Sequence, residues 1–416
     1  MLTAMSMRYN RKMWQGIKNI YHLFIALLAN LWFGFPSLRL TVIGVTGTDG
    51  KTTTVHLIYH ILKSAKKQVS MISSVAALIG NEQLATGFHV TTPFSWQIQS
   101  FLKKAVEAGS THMVLEVTSH ALDQYRVWGV DFTIGVLTNV THEHLDYHKT
   151  YENYVKTKVK LLKMAKVVVV NRDDESYNLM NSKFNPPNRR TKIQVKSQKF
   201  LAYGMGLNAD INPTGFPFKT KLIGEFNQYN CLAAIAACRE LGVSDEIILK
   251  AIASFELPIG RMEIVYEDEF TVMIDFAHTP NALEQILKTV RPNVKGRLIH
   301  VFGSAGERDY EKRPEMGEIS GKYVDIIILS AEDPRSESVE KITREIESGI
   351  MNYESRIQDS TLLKIPDRQE AITTAIQMAR KGDLILLTGK GHERSMTYGK
   401  KDIHWSEHEA VLKALQ

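Results

Sequence analysis

Cysteine is scarce in this sequence: among 416 residues only Cys231 and Cys238 occur, seven positions apart in an alanine-rich segment. Two thiols cannot build the disulfide framework of a small secreted protein, and two ligands alone do not make a zinc site. The sequence therefore predicts two buried thiols on one helix and a reducing, cytoplasmic compartment.

An excess of charge of one sign is also missing, since 51 lysines and arginines stand against 45 aspartates and glutamates, for a net charge of +6. Nucleic-acid-binding proteins usually concentrate basic residues on one face. An excess this small predicts no nucleic-acid partner and suits anionic small substrates. Hydrophobic residues at 44% and charged residues at 23% exclude a disordered chain, and the length predicts two or three domains.

Long hydrophobic runs are absent with one exception, the uncharged residues 19–38. Four basic residues precede this segment: Arg8, Arg11, Lys12 and Lys18. The outline is typical of signal peptides and spanning helices. However, Asn30, Gly34 and Pro36 interrupt the run, and no small-residue cleavage site follows.

If the segment is helical, its small and polar residues gather on one side and leave a wide apolar face. These small and polar residues are Asn19, His22, Ala26, Ala29 and Asn30. Three interpretations stay open: a helix packed on the protein, a helix lying in a membrane interface, and a true span. The second predicts a peripheral membrane contact through residues 19–36, at the inner face of the membrane.

After Pro36, compact apolar runs of strand length alternate with helical patterns, as in a parallel sheet covered on both faces. The predicted strands of the first half are residues 40–45, 112–117, 132–140 and 167–171, and the predicted helices are 54–65, 151–164 and 227–241. Residues 258–260 (Pro-Ile-Gly) predict a hinge. Beyond it, residues 270–276, 297–303, 325–330 and 383–388 predict four strands of a second α/β domain.

Polar and glycine residues follow these later strands, where parallel sheets bind their ligands. They are Asp275, Gly303 with Ser304, Glu332 with Asp333, and Gly389 with Lys390. The second domain is therefore predicted to carry a binding site at this edge.

A glycine-rich turn, GVTGTDGKTT at residues 44–53, lies between a predicted strand and a predicted helix. Such turns direct backbone N–H groups at phosphate oxygens, and the helix N-terminus adds partial positive charge. Lys51 would neutralise the β- and γ-phosphates, and the Thr52 hydroxyl would reach Mg²⁺. Val45 stands where the strict eight-residue pattern has its first glycine, but the arrangement still predicts a nucleotide phosphate loop.

Two further features suit a metal beside the phosphates. Glu116 ends an apolar strand, where a carboxylate fits a metal better than a core. A cluster after Asn139 contains His142, Glu143, His144, Asp146 and His148. Beside a phosphate loop, at least one of these histidines is predicted to bind metal.

The ordered motifs resemble the Mur ligase family over about residues 40 to 416. They are GVTGTDGKTTT, VTTP at 90–93, EVTSHALDQYRV from Glu116, LTNVTHEHLDYH from Leu137, DFAHTPNAL from Asp275, GERDYEKRPEMG from Gly306, EDPRSE from Glu332 and GKGHE from Gly389. Within the family, the motifs are most similar to the MurE type, which synthesises UDP-N-acetylmuramoyl-tripeptide.

The resemblance implies an ATP-dependent ligase of peptidoglycan precursor synthesis, which adds a diamino acid, in the first place meso-diaminopimelate, to the D-Glu of a muramoyl dipeptide. An acyl phosphate would form from the substrate carboxylate and then be displaced by the amine. The implied fold is α/β: a central P-loop ATPase domain with a parallel-rich sheet (40–262) and a C-terminal Rossmann-like domain (263–416), after a short apolar N-terminal helical segment (1–39). We expect a monomer.

The resemblance also implies residue roles. For catalysis it implies Lys51, Glu116, His144 and Lys158; for ATP, Gly47, Thr48, Asp49, Gly50, Lys51, Thr52, Thr53, Asn230, Arg261, Asp275 and His278. For the muramoyl peptide it implies Thr91, Thr92, Thr118, Gln124 and Arg126; for the amino acid, Arg308, Glu332, Asp333, Arg335, Gly389 and Glu393. For two Mg²⁺ ions it implies Thr52, Glu116, His144 and Lys158, the last as a carbamate (N6-carboxylysine).

The chain departs from the family pattern at three places. Glu332-Asp333-Pro334-Arg335 replaces the usual Asp-Asn-Pro-Arg, so the added negative charge of Asp333 favours an ammonium, and lysine or ornithine stays open as the amino acid. Glu143 replaces an aspartate before His144. Relatives also carry an N-terminal domain for the uridine end, whereas about 40 residues precede the phosphate loop here. The acceptor is then recognised elsewhere or presented differently, for example on a lipid.

Two other functions compete with this interpretation. One is a sister ligase, of the folylpolyglutamate or polymer-extending type, against which the VTTP and DPR segments argue. The other is a phosphate-loop nucleotide switch without ligase turnover, which should tolerate loss of Lys158.

Overall fold

The structure, a computed structural model of the chain, describes residues 2–84, 91–141, 143, 145–184, 198–352 and 362–416. The chain forms two compact units. The first consists of Met1–Val140, Thr150–Lys221 and Asn227–Phe255. The second consists of Thr141–Lys149, Leu222–Phe226 and Glu256–Gln416. The sequence-predicted boundary at 262/263 thus lies a few residues inside the second unit, and so do residues 258–260.

The first unit is an α/β layer structure that contains most of the first 255 residues. Its strands are β1 Thr41–Thr46, β2 Val69–Ile72, β3 Ala77–Ile79, β4 Glu82–Leu84, β5 His112–Glu116, β6 Phe132–Leu137, β7 Val167–Asn171 and β8 Lys199–Tyr203. Its helices are α1 Leu2–Phe33, α2 Lys51–Ser64, α3 Ser95–Glu107, α4 Ser119–Asp123, α6 Tyr151–Met164, α7 Tyr177–Phe184, α8 Glu225–Glu240 and α9 Asp245–Ser254. A short 3₁₀ helix spans Pro36–Arg39, and the first two residues of α8 group with the second unit.

The eight strands form one sheet in the order β4-β3-β2-β5-β1-β6-β7-β8. From β2 to β8 all neighbours are parallel, and β3 and β4 add an antiparallel edge. Because β1 and β5 are adjacent and parallel, Val45 pairs with Glu116, and the phosphate loop and Glu116 emerge at the same edge of the sheet. This confirms the predicted parallel-rich sheet.

The N-terminal helix α1 packs on the first unit through its small residues. Ala26, Ala29 and Asn30 are fully buried, and the Asn30 amide donates to the carbonyls of Ala26 (2.8 Å) and Trp128 (2.9 Å). The helix ends at Phe33, because Gly34 adopts a left-handed conformation with φ of 70°. No helix among the described residues is long and apolar enough to cross a membrane.

The second unit contains a six-stranded sheet and a separate hairpin. Its strands are β9 Glu263–Glu267, β10 Thr271–Ile274, β11 Leu298–Phe302, β12 Ile326–Leu329, β13 Leu362–Lys364, β14 Leu384–Leu387, β15 Ser395–Tyr398 and β16 Lys401–His404. Its helices are α5 Leu145–His148, α10 Pro280–Val290, α11 Lys312–Tyr323, α12 Val339–Asn352, α13 Arg368–Met378 and α14 Glu407–Ala414, with a 3₁₀ helix at Arg291–Asn293.

The sheet order is β13-β12-β11-β14-β10-β9, with only β9 antiparallel to its neighbour. The four strands expected from continuous apolar runs correspond to β10, β11, β12 and β14, whose central residues are buried. The edge strands β9 and β13 were missed because they are short, end in a charged residue and are only half-buried or exposed, so that they form no long apolar run. The carboxyl ends of β10, β11, β12 and β14 lie at the same edge of the sheet, as predicted, because these strands are parallel.

Several predicted boundaries shift at the phosphate loop. Helix α2 begins at Lys51, three residues before the predicted start, and Gly50, with a left-handed φ of 77°, is the residue that precedes it. Strand β6 ends at Leu137 rather than Val140, and the residues after it contact the phosphate loop: the Thr138 hydroxyl donates to the Asp49 carbonyl at 2.7 Å, and the Asn139 carbonyl accepts from the Thr48 N–H at 2.9 Å. Lys51, Thr52 and Thr53 therefore form the first turn of α2.

Cys231 and Cys238 lie on α8 and are both buried and free, which confirms the prediction of buried thiols. Burial raises the pKa of the Cys231 thiol to about 12 and raises that of Cys238 further. Thiols held in this protonated form contribute packing rather than chemistry.

Candidate active site

The phosphate loop is held open by contacts with the chain that follows β6. The backbone N–H of Thr48 donates to the Asn139 carbonyl, and that of Asp49 to the Asn139 side-chain oxygen, both at 2.9 Å. Lys51 Nζ donates to the Thr48 carbonyl at 2.7 Å, so this cation lies over the loop itself. With the amides of the first turn of α2, it supplies the positive field that a nucleotide phosphate requires.

Asn230 of α8 lies directly against the phosphate loop. Its Oδ1 accepts from the Thr54 hydroxyl at 3.3 Å, and its amide donates to Asn227 at 3.1 Å. A Cβ on Gly50 would lie 2.2 Å from the same Oδ1. The structure thus brings Asn230 to the loop, although its role toward ATP stays a prediction.

A buried carboxylate lies at the start of α2. Both Glu116 oxygens accept from the Thr52 hydroxyl, at 3.1 and 3.2 Å, and one accepts from the Ser74 backbone N–H at 2.9 Å. The Ser74 hydroxyl lies 2.9 Å from that of Thr52. These hard oxygen donors are the ligands that Mg²⁺ prefers, so Thr52 and Glu116 fit a magnesium ion.

Lys158 of α6 is only 1% exposed. The three lysines among residues 156–160 would by themselves indicate a helix face in contact with solvent. The Lys158 Nζ donates to the Gly47 carbonyl at 2.6 Å and lies 4.3 Å from the centre of the Tyr154 ring. Tyr154 in turn accepts from the Thr48 hydroxyl at 3.3 Å. Lys158 therefore lies at the phosphate loop, where the resemblance expects it.

The residues predicted to bind the muramoyl peptide form one hydrogen-bonded group. Thr92 donates to the Glu116 carbonyl at 3.0 Å and accepts from the Thr118 N–H at 2.9 Å. Arg126 donates to the Thr92 carbonyl (2.8 Å) and to Gln124 (2.7 and 3.0 Å). Thr91 precedes this group and is half-buried. The guanidinium of Arg126 also lies 4.3 Å from the centre of the Phe94 ring.

In the second unit, Asp275 follows β10 and orders the backbone around it. Its two oxygens accept from the N–H groups of Met262 (2.8 Å) and Ala277 (2.7 Å). Arg261 stacks on the Phe276 ring at 4.6 Å, and the same ring contacts the imidazole of His278 at 4.7 Å. Arg261, Asp275 and His278 are thus neighbours, and their role toward ATP stays a prediction.

Two of the residues predicted to bind the amino acid, Asp333 and Glu393, contact a buried lysine. Lys390, fully buried, pairs with Asp333 at 2.9 Å and with Glu393 at 2.5 Å. Burial lowers the pKa of Lys390, but Glu393 and Asp333 raise it by more, so the net shift is upward. From the sequence, the added negative charge of Asp333 was expected to disfavour a carboxylate ligand. In the structure this charge has a cationic partner, Lys390.

Glu332 precedes Asp333 in the chain, and its carboxyl group lies close to Gly389. A Cβ on Gly389 would lie 2.6 Å from Glu332 Oε2, and no described residue offers that oxygen a hydrogen bond. Burial raises the pKa of Glu332 to about 7, although Lys312 and Arg368 work in the opposite direction. The carboxyl group therefore titrates near neutral pH.

The backbone of Arg335 is fixed by two hydrogen bonds. It adopts a left-handed φ of 52°, donates its N–H to the Thr397 carbonyl (3.0 Å) and accepts from Gly399 (2.7 Å). In the described part of the chain, nothing hydrogen-bonds or ion-pairs with the Arg335 guanidinium. Arg308 is half-buried in the loop between β11 and α11.

The histidine cluster is described only in part. His142 and His144 lie outside the described residues, so the predicted role of His144 stays a prediction. Glu143 is buried and pairs with Lys312 at 3.3 Å, while Lys312 also donates to the His278 carbonyl at 2.7 Å. Within the described ranges, no three His, Cys, Asp or Glu side chains are grouped to hold a metal.

Comparison with known proteins identifies the family. Residues 45–238 match the Mur ligase middle domain, and residues 260–391 match the Mur ligase, glutamate ligase domain. The chain belongs to the Mur ligase family. A UDP-N-acetylmuramoyl-L-alanyl-D-glutamate–2,6-diaminopimelate ligase of Aquifex aeolicus is 40% identical over 371 residues, which cover 88% of this chain and 75% of that protein.

Two solved structures show the same fold. A UDP-N-acetylmuramoyl-L-alanyl-D-glutamate–2,6-diaminopimelate ligase has a TM-score of 0.58 at 30% identity, over 91% of this chain and 78% of that one. The Mycobacterium tuberculosis folylpolyglutamate synthase complexed with ADP has a TM-score of 0.67 at 15% identity, over 88% and 92%. These matches confirm three predictions made from the motifs: the family, the α/β fold and the ligase class.

Sequence reasoning missed three residues at these sites: Ser74, Tyr154 and Lys390 as an ion-pair partner. Ser74 and Tyr154 stand in no motif, and only their contacts with Thr52 and Thr48 reveal them. Lys390 stands inside GKGHE and was named as a strand-end residue, so the motif contained a usable signal.

Proposed function

We propose that this member of the Mur ligase family joins meso-diaminopimelate to the D-glutamate of UDP-N-acetylmuramoyl-L-alanyl-D-glutamate, with cleavage of ATP to ADP and phosphate. The 40% identity to a diaminopimelate-adding ligase supports the acceptor and the reaction class. The phosphate loop with Lys51 supports ATP as the energy source. The fold is shared with folylpolyglutamate synthase, but at 15% identity that similarity supports no substrate.

In the proposed reaction, a carboxylate oxygen of the acceptor attacks the γ-phosphorus, and the bond to ADP breaks. The amine of the incoming amino acid then attacks the acyl carbon, and phosphate leaves. Both steps develop negative charge on phosphoryl or carbonyl oxygens. Lys51 and the N–H groups at the start of α2 stabilise this charge, because they are already oriented before the reaction begins.

Mg²⁺ would be bound by the Thr52 hydroxyl and the Glu116 carboxylate, with His144 and a carbamate on Lys158 completing two sites. When bound, the metal supplies charge neutralisation of the phosphates. Lys158 is 1% exposed and its Nζ lies 2.6 Å from the Gly47 carbonyl of the phosphate loop, which supports a role for this side chain beside the phosphates. ¹³C NMR of the protein in ¹³C-bicarbonate should show a carbamate signal that Lys158→Ala abolishes.

The observation that carries the amino-acid assignment is the Arg335 guanidinium, which has no partner among the residues that the structure describes. A guanidinium binds a carboxylate through two parallel hydrogen bonds, and diaminopimelate has a distal carboxylate that lysine and ornithine lack. Lys390 is shared between Asp333 and Glu393, so a cation within hydrogen-bond distance offsets part of the negative charge that Asp333 adds.

Phosphate release from ATP tests the assignment, with the UDP-linked dipeptide as acceptor and meso-diaminopimelate, lysine or ornithine as the amine. Release should depend on diaminopimelate, and mass spectrometry should show the tripeptide. Arg335→Ala should raise the KM for diaminopimelate roughly 10- to 100-fold and leave the KM for ATP unchanged. Arg344→Ala, an exposed arginine of the same unit, is the control. Equal rates with lysine, or an unaltered KM in Arg335→Ala, would reject diaminopimelate.

The proposal extends to location and assembly. We place the enzyme in the cytoplasm as a monomer, with a peripheral membrane contact through residues 19–36. Sedimentation velocity at several protein concentrations checks the monomeric state.

A further inference from the structure

Helix α1 exposes its large apolar side chains, whereas an ordinary surface helix buries them. Its buried side consists of Ala26, Ala29 and Asn30, whereas its large apolar side chains point outward. The exposed set is Ile20 (70%), Tyr21 (61%), Phe24 (56%), Leu27 (37%), Leu28 (39%), Leu31 (58%) and Trp32 (75%). At 100° per residue these seven positions span an arc of about 140°, which is an apolar face of the width that membrane-surface helices present.

The apolar face continues onto neighbouring elements of the first unit. Leu38, just after the helix, is 69% exposed, and Trp96 of α3 is 45% exposed. The Trp96 ring lies 5.9 Å from that of Trp32 and 5.3 Å from that of Phe33. Tryptophans at the border of an apolar surface are typical of the membrane interface, where the ring sits between the acyl chains and water.

The charges around the apolar face indicate whether its partner is a lipid bilayer or a second copy of the chain. The first 48 residues contain five cations and no aspartate or glutamate, whereas the whole chain has a net charge of only +6. Lys18 and Arg39 are exposed at the two ends of the apolar face. A second copy of the chain would bring these like charges together, whereas an anionic lipid surface attracts them.

We propose that the exposed face of α1, with Leu38 and Trp96, docks on an anionic lipid bilayer. The contact rests on the peripheral membrane location proposed above and is independent of the ligase reaction. Asn30, bonded to the Trp128 carbonyl at 2.9 Å, fixes the helix on the protein, so that the apolar face is presented without any rearrangement. Such docking holds the enzyme at the membrane surface.

Co-sedimentation of the full chain with vesicles of phosphatidylglycerol and phosphatidylcholine, or of phosphatidylcholine alone, tests the proposal. Ile20→Ser, Phe24→Ser and Leu31→Ser, combined in one variant, should lower binding to the anionic vesicles about tenfold or more. Leu207→Ser, Met351→Ser and Leu412→Ser, which remove equally exposed apolar side chains elsewhere, should leave binding unchanged. Lys18→Gln with Arg39→Gln should weaken it roughly fivefold for each charge removed.

The alternatives give different results. Equal binding to neutral and anionic vesicles, still lost in the triple serine variant, would overturn the anionic-lipid preference but keep the peripheral contact. No vesicle binding, together with a dimer that the triple variant dissociates, would overturn both and assign the face to a second copy of the chain. ATP turnover, measured on each variant, reports separately on the ligase proposal.

Discussion

Gly50 and Asn230 approach so closely that a Cβ on Gly50 would lie 2.2 Å from Asn230 Oδ1. Gly50 also has a φ of 77°, in the left-handed region that glycine alone adopts without strain. The first turn of α2 therefore starts at a position where both the backbone conformation and the neighbouring side chain favour glycine over any other residue.

Gly50→Ala should lower stability and weaken ATP binding. Gly109, with a φ of 78° and no atom within 4 Å of a built Cβ, is a matched control that isolates the backbone strain. Gly109→Ala should cost about 1–2 kcal/mol in the free energy of unfolding. Gly50→Ala should cost more and should lose ATP affinity by calorimetry, which Gly109→Ala should keep. Equal losses of stability and affinity in the two variants would show that the contact with Asn230 is unimportant.

Lys158→Ala should reduce ligase turnover at least about 100-fold while ATP binding persists, because Lys158 lies at the Gly47 carbonyl of the phosphate loop. Lys156→Ala, an exposed position on the same helix, should retain turnover. Thermal melting of both variants separates loss of chemistry from loss of folding. A Lys158→Ala enzyme with full turnover would favour a site without the carbamate.

Glu332 should make stability depend on pH. Its folded-state pKa of about 7 lies above the model-peptide value of 4.5, so the folded state holds the proton more tightly than the unfolded chain does. The resulting stabilisation is fully present below pH 4.5 and is lost as the pH rises through 7, by up to about 3 kcal/mol.

Glu332→Gln should remove this dependence, so that the variant gains stability relative to the parent as the pH rises from 5 to 8. Urea unfolding at these pH values measures the difference. Glu318→Gln, an exposed glutamate of the same unit, should show the parent's pH profile. An identical profile for Glu332→Gln would mean that this carboxyl group ionises normally in the folded state.

Cys231 and Cys238 should not react with a thiol reagent in the native protein at pH 8, because burial raises both pKa values far above that pH. Both should react once the chain is unfolded in guanidinium. Absorbance of the released thiolate counts the reactive groups, and rapid labelling of one native thiol would show that α8 opens locally.

Much of the fold was readable because its signals are local. The predicted strands of both sheets are continuous apolar runs, and helix α6 was predicted at its observed bounds, Tyr151–Met164, whereas the buried strand β2, interrupted by Ser70, was missed. The edge strands β4, β8, β9 and β13 contain exposed and half-buried residues and form no run of this kind. Their pairing is decided by the neighbouring strand, which local sequence does not contain.

By itself, the sequence determined the phosphate loop, the ordered ligase motifs and the unusual apolar segment, since each is a short stretch whose chemistry is local. Tertiary structure decided which distant groups meet. It brought Asn230 to Thr54 across 176 positions and paired Lys390 with Asp333 across 57. It also decided that the apolar side of α1 faces outward, because small residues and Asn30 pack more closely on the body of the protein than the large side chains do.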